Sequence, residues 1–574
     1  MRVPAGLTSG AQLFHTLRFL RPHQLAAQLI HRGRRLVHWP LPRAPALSRP
    51  DPVVKWRPRA AFLPGGAVRQ ERHALLQGRF RFLSREESVG WPPEWRQPGL
   101  ARLWEYNLHY FEFLWALPYE EAKQVTKDWI ANHPPGGQQV GWEPYPISLR
   151  LMNWCTIFFG RDRKALDSDP DFGRQLWSSL THQAEVLRRN PEHHLLGNHL
   201  LENGLALSCC GACFEGSEAE RWLAAGTRIL ASELGEQLLA DGGHFERSPM
   251  YHARVVSVLT LLANTGVPEV EALVSEPLER ARRALEAMVH PDGEIALLND
   301  AAIGIVNAPS VLLVHAPKDG LFALPDTGYF GARQGGRYII CDAGPVGPDH
   351  LPGHAHGDIF SFELSLFGQR MVVDAGVYDY EVSELRDYCR STRAHNTVEI
   401  DGADQCEFWG AFRVARRGRP REVKWEPEGQ GFRLQGWHDG YQRLPGRPRH
   451  HRTFRWYPEG VLLVRDRVSA GRNVSCRTRL HLHPDCEIVE HDTSCVRIAH
   501  PAGRFSVAFS GPGRLELERS WYCPEFGVRL PNRALCFQSD GQQLETGFCI
   551  APGHDLVGYD AGSGVEIDGR RFSL

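Results

Sequence analysis

Residues 353–380 read GHAHGDIFSFELSLFGQRMVVDAGVYDY. Phe360, Phe362, Leu364 and Leu366 alternate with polar or small residues, so they share one face of an extended strand, and Phe-Gly then turns the chain into a second apolar run, MVVD. The same period of two returns in RYIICDA before it and in TVEID, FRLQGW, RTFRWY, VLLVRDRV and CRTRLHLH after it. Roughly nine or more short strands within about 240 residues predict a large antiparallel sandwich, because one open sheet of that size would leave an apolar face wet.

Toward the N-terminus the period lengthens. From Trp104 to about Leu313, AEVLRRN stops at Pro191, HLLENGLALSCCGACF and AERWLAAGTRILASELGEQLLA carry apolar residues three and four apart, and RVVSVLTLLANTG ends at Asn-Thr-Gly. Such helix pairs bury their faces on one another, in a stack or closed ring of hairpins. The change of period falls between Leu313 and Gly328. Three regions follow: an irregular Arg/Pro-rich arm at 1–60 with one helix around Ala11 to Arg35, a helical domain at 61–320 and a strand domain at 321–574.

The chain has 574 residues, 66 Lys+Arg against 67 Asp+Glu, and 42% hydrophobic residues. That composition excludes disordered, collagenous and supercharged classes, and the charge balance gives no bulk attraction to nucleic acid or anionic membrane. No apolar run reaches the ~18 residues of a membrane span, and the first residues break their apolar clusters with His, Arg and Pro. Neither a transmembrane helix nor a signal peptide is expected, which makes the chain cytoplasmic by sequence. The 13 cysteines are odd in number, and Cys209, Cys210 and Cys213 read as small buried side chains in a helix rather than as a zinc site.

Four segments concentrate polar residues. In HHLLGNHLLENG (193–204), Asn198 and Glu202 share a helix face and His199 lies within the same turn; Asn198 either holds a carboxylate or caps the helix. In DGGHFERSPMYHARV (241–255), Ser248 is a plausible N-cap with Pro249 at the first helical position, which puts Tyr251 at a loop mouth, as proton carrier or packing residue. In GHAHGD, His354 and His356 are two apart and project to one side; with Asp374 beyond the next strand and His395 in RDYCRSTRAHNTVEID they make a His-Asp-His set suited to zinc.

Taken together, LWEYNLHYFEFL (103–114), GWEPYPISLRLMNW (141–154), LLGNHLLENG, DGGHFERSPMYH, HPDGEIALLND (290–300), LPGHAHGDIFSFELSLFG, VVDAGVYDY and RSTRAHNTVEIDG resemble the motifs of the bacterial heparinase II/III-like polysaccharide lyases. The resemblance covers about 110–402. It implies an α+β multidomain chain, an N-terminal (α/α) toroid followed by a large antiparallel β-sandwich, with a cleft between. It also implies β-elimination beside a uronic acid, in which a neutralised carboxylate lets the C5 proton leave.

Carried over by position, Asn198 and His199 resemble the carboxylate-neutralising pair, and Tyr251 and His354 the acid/base groups. His356, Asp374 and His395 resemble the ligands of one structural zinc per chain. Arg150, Glu202, Tyr388 and Arg393 are expected near the substrate, an acidic polysaccharide or oligosaccharide. The Arg/Pro-rich arm resembles relatives associated with exopolysaccharide production, and the family suggests the periplasm as the alternative compartment. Two other functions fit the same residues. One is a non-catalytic glycan-binding or assembly protein; the other is a glycoside hydrolase with paired carboxylates among Glu202, Glu246 and Asp241.

Overall fold

The computed structural model describes residues 10–36, 51–55, 70–134, 139–553, 556 and 559–574. Within the arm it shows two helices, Gly10–Leu17 and Pro22–Leu36, where the sequence suggested one. Pro22 has no N–H to donate and disfavours a helical residue before it, so the chain breaks there and restarts. The remainder of the expected irregular arm, at 1–9, 37–50 and 56–60, lies outside the described residues.

The helical domain is built from Arg102–Tyr110, Tyr119–Asn132, Pro144–Thr156, Pro170–Arg189, Gly197–Cys213, Ser217–Gln237, Pro249–Leu262 and Pro268–Ala287. Four of these open on proline, whose fixed φ suits the first helical position and whose missing N–H would be unpaired there anyway. The helices share one core that includes Trp104, Trp129, Trp154 and Trp222. The pair Gly197–Cys213 and Ser217–Gln237 packs closely at Gly226, where a Cβ would sit 2.5 Å from the Ser208 nitrogen. All 13 cysteines are unpaired, and Cys209, Cys210 and Cys213 are buried in this core beside Cys155. None of the helices in the described residues is long and apolar enough to cross a membrane.

Apart from a two-stranded hairpin at Arg79–Phe82 and Arg85–Ser88, the strands begin at Gly320. Gly320–Leu324, Tyr329–Gln334, Arg337–Asp342, Phe362–Leu366 and Gln369–Val372 form a five-stranded antiparallel meander. A ten-stranded sheet centred on Leu462–His481 and Leu530–Pro552 lies against it. Phe362 and Leu364 pack with Phe454, Trp456 and Phe548 of that sheet in one sandwich core. The opposite face of the same strand is also buried. His290, from the helical domain, places Nδ1 2.7 Å from Ser365 Oγ and Nε2 3.2 Å from Glu363, so polar side chains join the two domains. This packing fixes the rim of the sandwich over the open end of the helical ring.

Candidate active site

A cavity of about 1200 Å³ lies at that rim, and Asn198, His199, Glu246, Tyr251 and His354 all line it. Asn198 reaches it because the chain turns sharply just before the helix: Leu196 and Gly197 have φ of +65° and +58°. Glycine is required at 197, since a Cβ there would lie 2.2 Å from Leu351 Cδ2 and 2.5 Å from Glu246 Oε1. The residue flanking the helix start is Leu196, so Asn198 is not the cap. Its backbone N–H and side-chain amide instead face Glu246, at 3.3 and 3.5 Å.

His199 stands one residue on, its Nδ1 3.2 Å from Glu192 Oε1 and its ring 4.5 Å from that of Tyr145. Burial pulls the imidazole down, but Glu192 outweighs it and the net shift is upward. Glu192 is correspondingly lowered despite its own burial, through His199 and Asn203. The pair is therefore held in its charged form, with a cation facing the cavity.

Tyr251 sits in the first turn of Pro249–Leu262. Ser248 caps that helix, accepting from the Tyr251 N–H at 3.3 Å and donating to the Asp300 carbonyl at 2.6 Å. The Tyr251 hydroxyl is 3.0 Å from that of Tyr380, and its ring centroid lies 4.1 Å from His354. Burial, reinforced by Tyr380, raises the phenol well above its usual range. Tyr251 thus remains protonated, a donor rather than a base.

His354 takes its orientation from Asp300. Its Nδ1 lies 2.9 Å from Asp300 Oδ2, while Nε2 faces Glu246 at 3.8 Å. Asp300 is fully buried, yet Arg386, bonded to both its oxygens, and the two histidines hold it well below the carboxylate range. An ionised carboxylate only accepts, so Nδ1 carries the proton that bonds Asp300, and Nε2 is the ring nitrogen left to face the cavity.

Asp300 also accepts from His356 Nε2, at 2.8 Å. His356, Asp374 and His395 are fully buried, and a donor atom from each lies within 4.8 Å of the others. His356 Nδ1 and His395 Nε2 have no hydrogen-bond partner. Two orphaned imidazole nitrogens beside a carboxylate, one imidazole braced from behind by a second carboxylate, are a donor set that fits a divalent zinc-like ion.

Four expected substrate contacts lie elsewhere. Arg150 is fully buried; it donates to Gln183, to the His109 carbonyl and to the Gly141 carbonyl, at 2.8, 3.0 and 2.7 Å, and stacks on Trp129. It ties helices together and cannot clamp substrate. Glu202 is buried and spent on Arg254, 2.6 Å away, so Arg254 rather than Glu202 lines the cavity. Tyr388 bonds Ser520 at 2.7 Å and carries the Arg393 guanidinium over its ring, and neither residue lines the cavity. The hydrolase pair dissolves similarly. Asp241 is bound to Thr327, Glu202 to Arg254, and Glu246 alone of the three lines the cavity.

Asp300, Arg386, Tyr380 and Tyr145 were not singled out from sequence. Asp300 and Tyr380 close the motifs HPDGEIALLND and VVDAGVYDY, and that placement was the available signal.

Comparisons with known proteins agree with this architecture. The family model described as Heparinase II/III N-terminus matches residues 119–310, and Heparinase II/III-like, C-terminal, matches 316–551. A heparin-sulfate lyase of Pedobacter heparinus is 24% identical over 322 residues, 48% of this chain and 47% of that protein. The chain thus spans about half the length of that relative. FtsZ-localized protein C of Caulobacter vibrioides is 26% identical over 426 residues, 62% of this chain and 73% of that protein. The crystal structure of heparinase III superposes with a TM-score of 0.65 at 16% identity, covering 96% of this chain and 88% of that one.

Proposed function

This chain belongs to the heparinase II/III-like family, and from that premise we propose that it is a polysaccharide lyase cleaving a uronic-acid-containing acidic glycan by β-elimination. The observation that carries the reading is the convergence of Asn198, His199, Tyr251 and His354, drawn from both domains, on one cavity. The uronate carboxylate would accept from the Asn198 amide and the His199 cation, which lowers the cost of charge at C5. His354 Nε2 would take the C5 proton; the C–H electrons become the C4–C5 double bond as the C4–O bond breaks. Tyr251 would give its phenolic proton to the departing oxygen. The His354 and Tyr251 ring centroids lie 4.1 Å apart, so the proton taken and the proton given belong to neighbouring groups.

We further propose that His356, Asp374 and His395 hold one structural zinc. Bound there, the ion would order the strand ends beneath the cavity; proton transfer rests on His354 and Tyr251. The arm, which resembles that of relatives associated with exopolysaccharide production, supports a place in bacterial exopolysaccharide metabolism.

The test is ultraviolet detection of an unsaturated uronate when the protein meets a panel of acidic polymers, the host's own among them. Wild type is expected to produce it and Tyr251→Phe to lose at least about 100-fold in kcat, the low end for acid–base catalysis. No product from any polymer, with equal binding by both proteins, would sink the lyase reading. The second reading, a glycan-binding or assembly protein, is favoured by the Caulobacter relative, whose name gives a localisation rather than a reaction. Binding with neither unsaturated nor reducing-end product would establish it.

A further inference from the structure

The two arm helices form a strap across the cavity mouth. On the helical-domain side Arg21 pairs with Glu236, Gln28 reaches the His194 carbonyl at 3.4 Å, and His31 stacks on His194 at 3.9 Å. On the sandwich side Trp409 donates to Thr16 at 3.1 Å and the Arg417 guanidinium covers Phe19 at 4.0 Å. His194, which the strap touches, lies two positions before Leu196 in the sharp turn that presents Asn198, so the strap belongs to the wall of the site.

Five leucines stand in that wall beside Thr16, Gln24, Gln28 and Arg32. Leu13, Leu17, Leu20, Leu25 and Leu29 line the cavity in which Asn198 and His354 form the polar end. Leu17 and Leu29 remain 42% and 69% exposed. Sugar hydroxyls gain no partner from leucine and lose water beside it. Of the arginines that line the cavity, Arg102 is engaged with Glu143 and Arg254 with Glu202, while Arg32, Arg413 and Arg417 line it as well. A bare glycan would leave the leucines wet. An exposed aliphatic surface continuous with a polar site calls for a ligand with both characters. Its apolar part is long, because helices of 8 and 15 residues run about 12 and 22 Å. An acetyl group would touch only a fraction of that.

We propose that the substrate is a lipid-linked acidic glycan, whose uronate occupies the Asn198–His354 end while its hydrocarbon aglycone lies along the strap. This rests on the lyase reading for its polar half only. The probes are n-decyl β-glucuronide, below its micelle concentration, and methyl β-glucuronide, titrated calorimetrically against the full chain. Each buried methylene tightens binding about fourfold, so decyl is expected to bind at least tenfold more tightly than methyl. Leu17→Gln/Leu29→Gln, polar changes at exposed positions, is expected to erase most of that ratio while the melting temperature stays close to wild type. Equal affinity for the two probes, or a ratio untouched in the double variant, would overturn the proposal. Product formation from acidic polymers is scored separately: a decyl preference without product, wild type and Tyr251→Phe binding equally, leaves the hydrocarbon half of this inference standing and removes the lyase reading, and product without a decyl preference does the reverse.

Discussion

His354 Nδ1 donates to Asp300 Oδ2 at 2.9 Å, and His356 Nε2 donates to the other oxygen of the same carboxylate at 2.8 Å. One buried anion thus orients the imidazole proposed to take the proton and braces a proposed zinc ligand. Asp300→Asn keeps the shape but replaces an ion that only accepts with an amide that also donates, so Nδ1 is no longer compelled to carry the proton. A loss in kcat of about 10²–10⁴ is expected, the range of a disabled acid–base group. The measurement is kcat per folded molecule, below the variant's melting temperature, because Arg386 also loses its counter-ion. An unchanged kcat would remove His354 from proton transfer.

The periods of the chain made both domains legible, since burial of one face leaves a mark every two or every three to four residues. That Asn198, Tyr251 and His354 would meet at one cavity was legible through the motifs that carry the family resemblance, not from the local pattern of each residue alone. Asp300 and Arg386 were not, because their roles arise only from contacts 54 and 86 residues apart in the chain. Arg150 misled for the same reason. Sequence shows a guanidinium near the site motifs, but not that two carbonyls and Gln183 wait for it in the core.

Arg150→Met therefore has an outcome opposite in kind to that of a substrate clamp. It would leave the His109 and Gly141 carbonyls and the Gln183 amide oxygen without donors, at about 1–3 kcal/mol for each buried unsatisfied group. A loss of roughly 3 kcal/mol or more in stability is expected, with KM of the folded enzyme within about twofold of wild type. Denaturant melts and steady-state kinetics check the two halves. A large rise in KM with unchanged stability would return Arg150 to the substrate.

Glu192 and His199 set a pH window. His199 is raised above 6.5, so its contribution to stability is complete below that unfolded value and is lost as pH rises through the folded one. Glu192 is lowered below 4.5, so its contribution is complete above that value and is lost as pH falls through its folded pKa. Both are fully present between about pH 4.5 and 6.5. The cation proposed to face the uronate is lost on the alkaline side. Glu192→Gln removes the carboxylate that keeps His199 charged, so the alkaline limb of the kcat/KM profile should move to lower pH. A limb that stays in place would deny His199 its electrostatic role.

The zinc proposal makes a structural claim before a catalytic one. His356 Nδ1 and His395 Nε2 are buried without hydrogen-bond partners, a costly arrangement in a core unless an ion takes their lone pairs. About one zinc per chain is expected on elemental analysis, falling toward none in His395→Ala. Chelation should lower the melting temperature of wild type, zinc should restore it, and the variant should respond to neither. Activity should fall with the metal as well, because His356 and His354 share Asp300 and a displaced His356 would carry that carboxylate with it. A protein stripped of metal that keeps its melting temperature and its turnover would show that the three residues are only a buried hydrogen-bonded group.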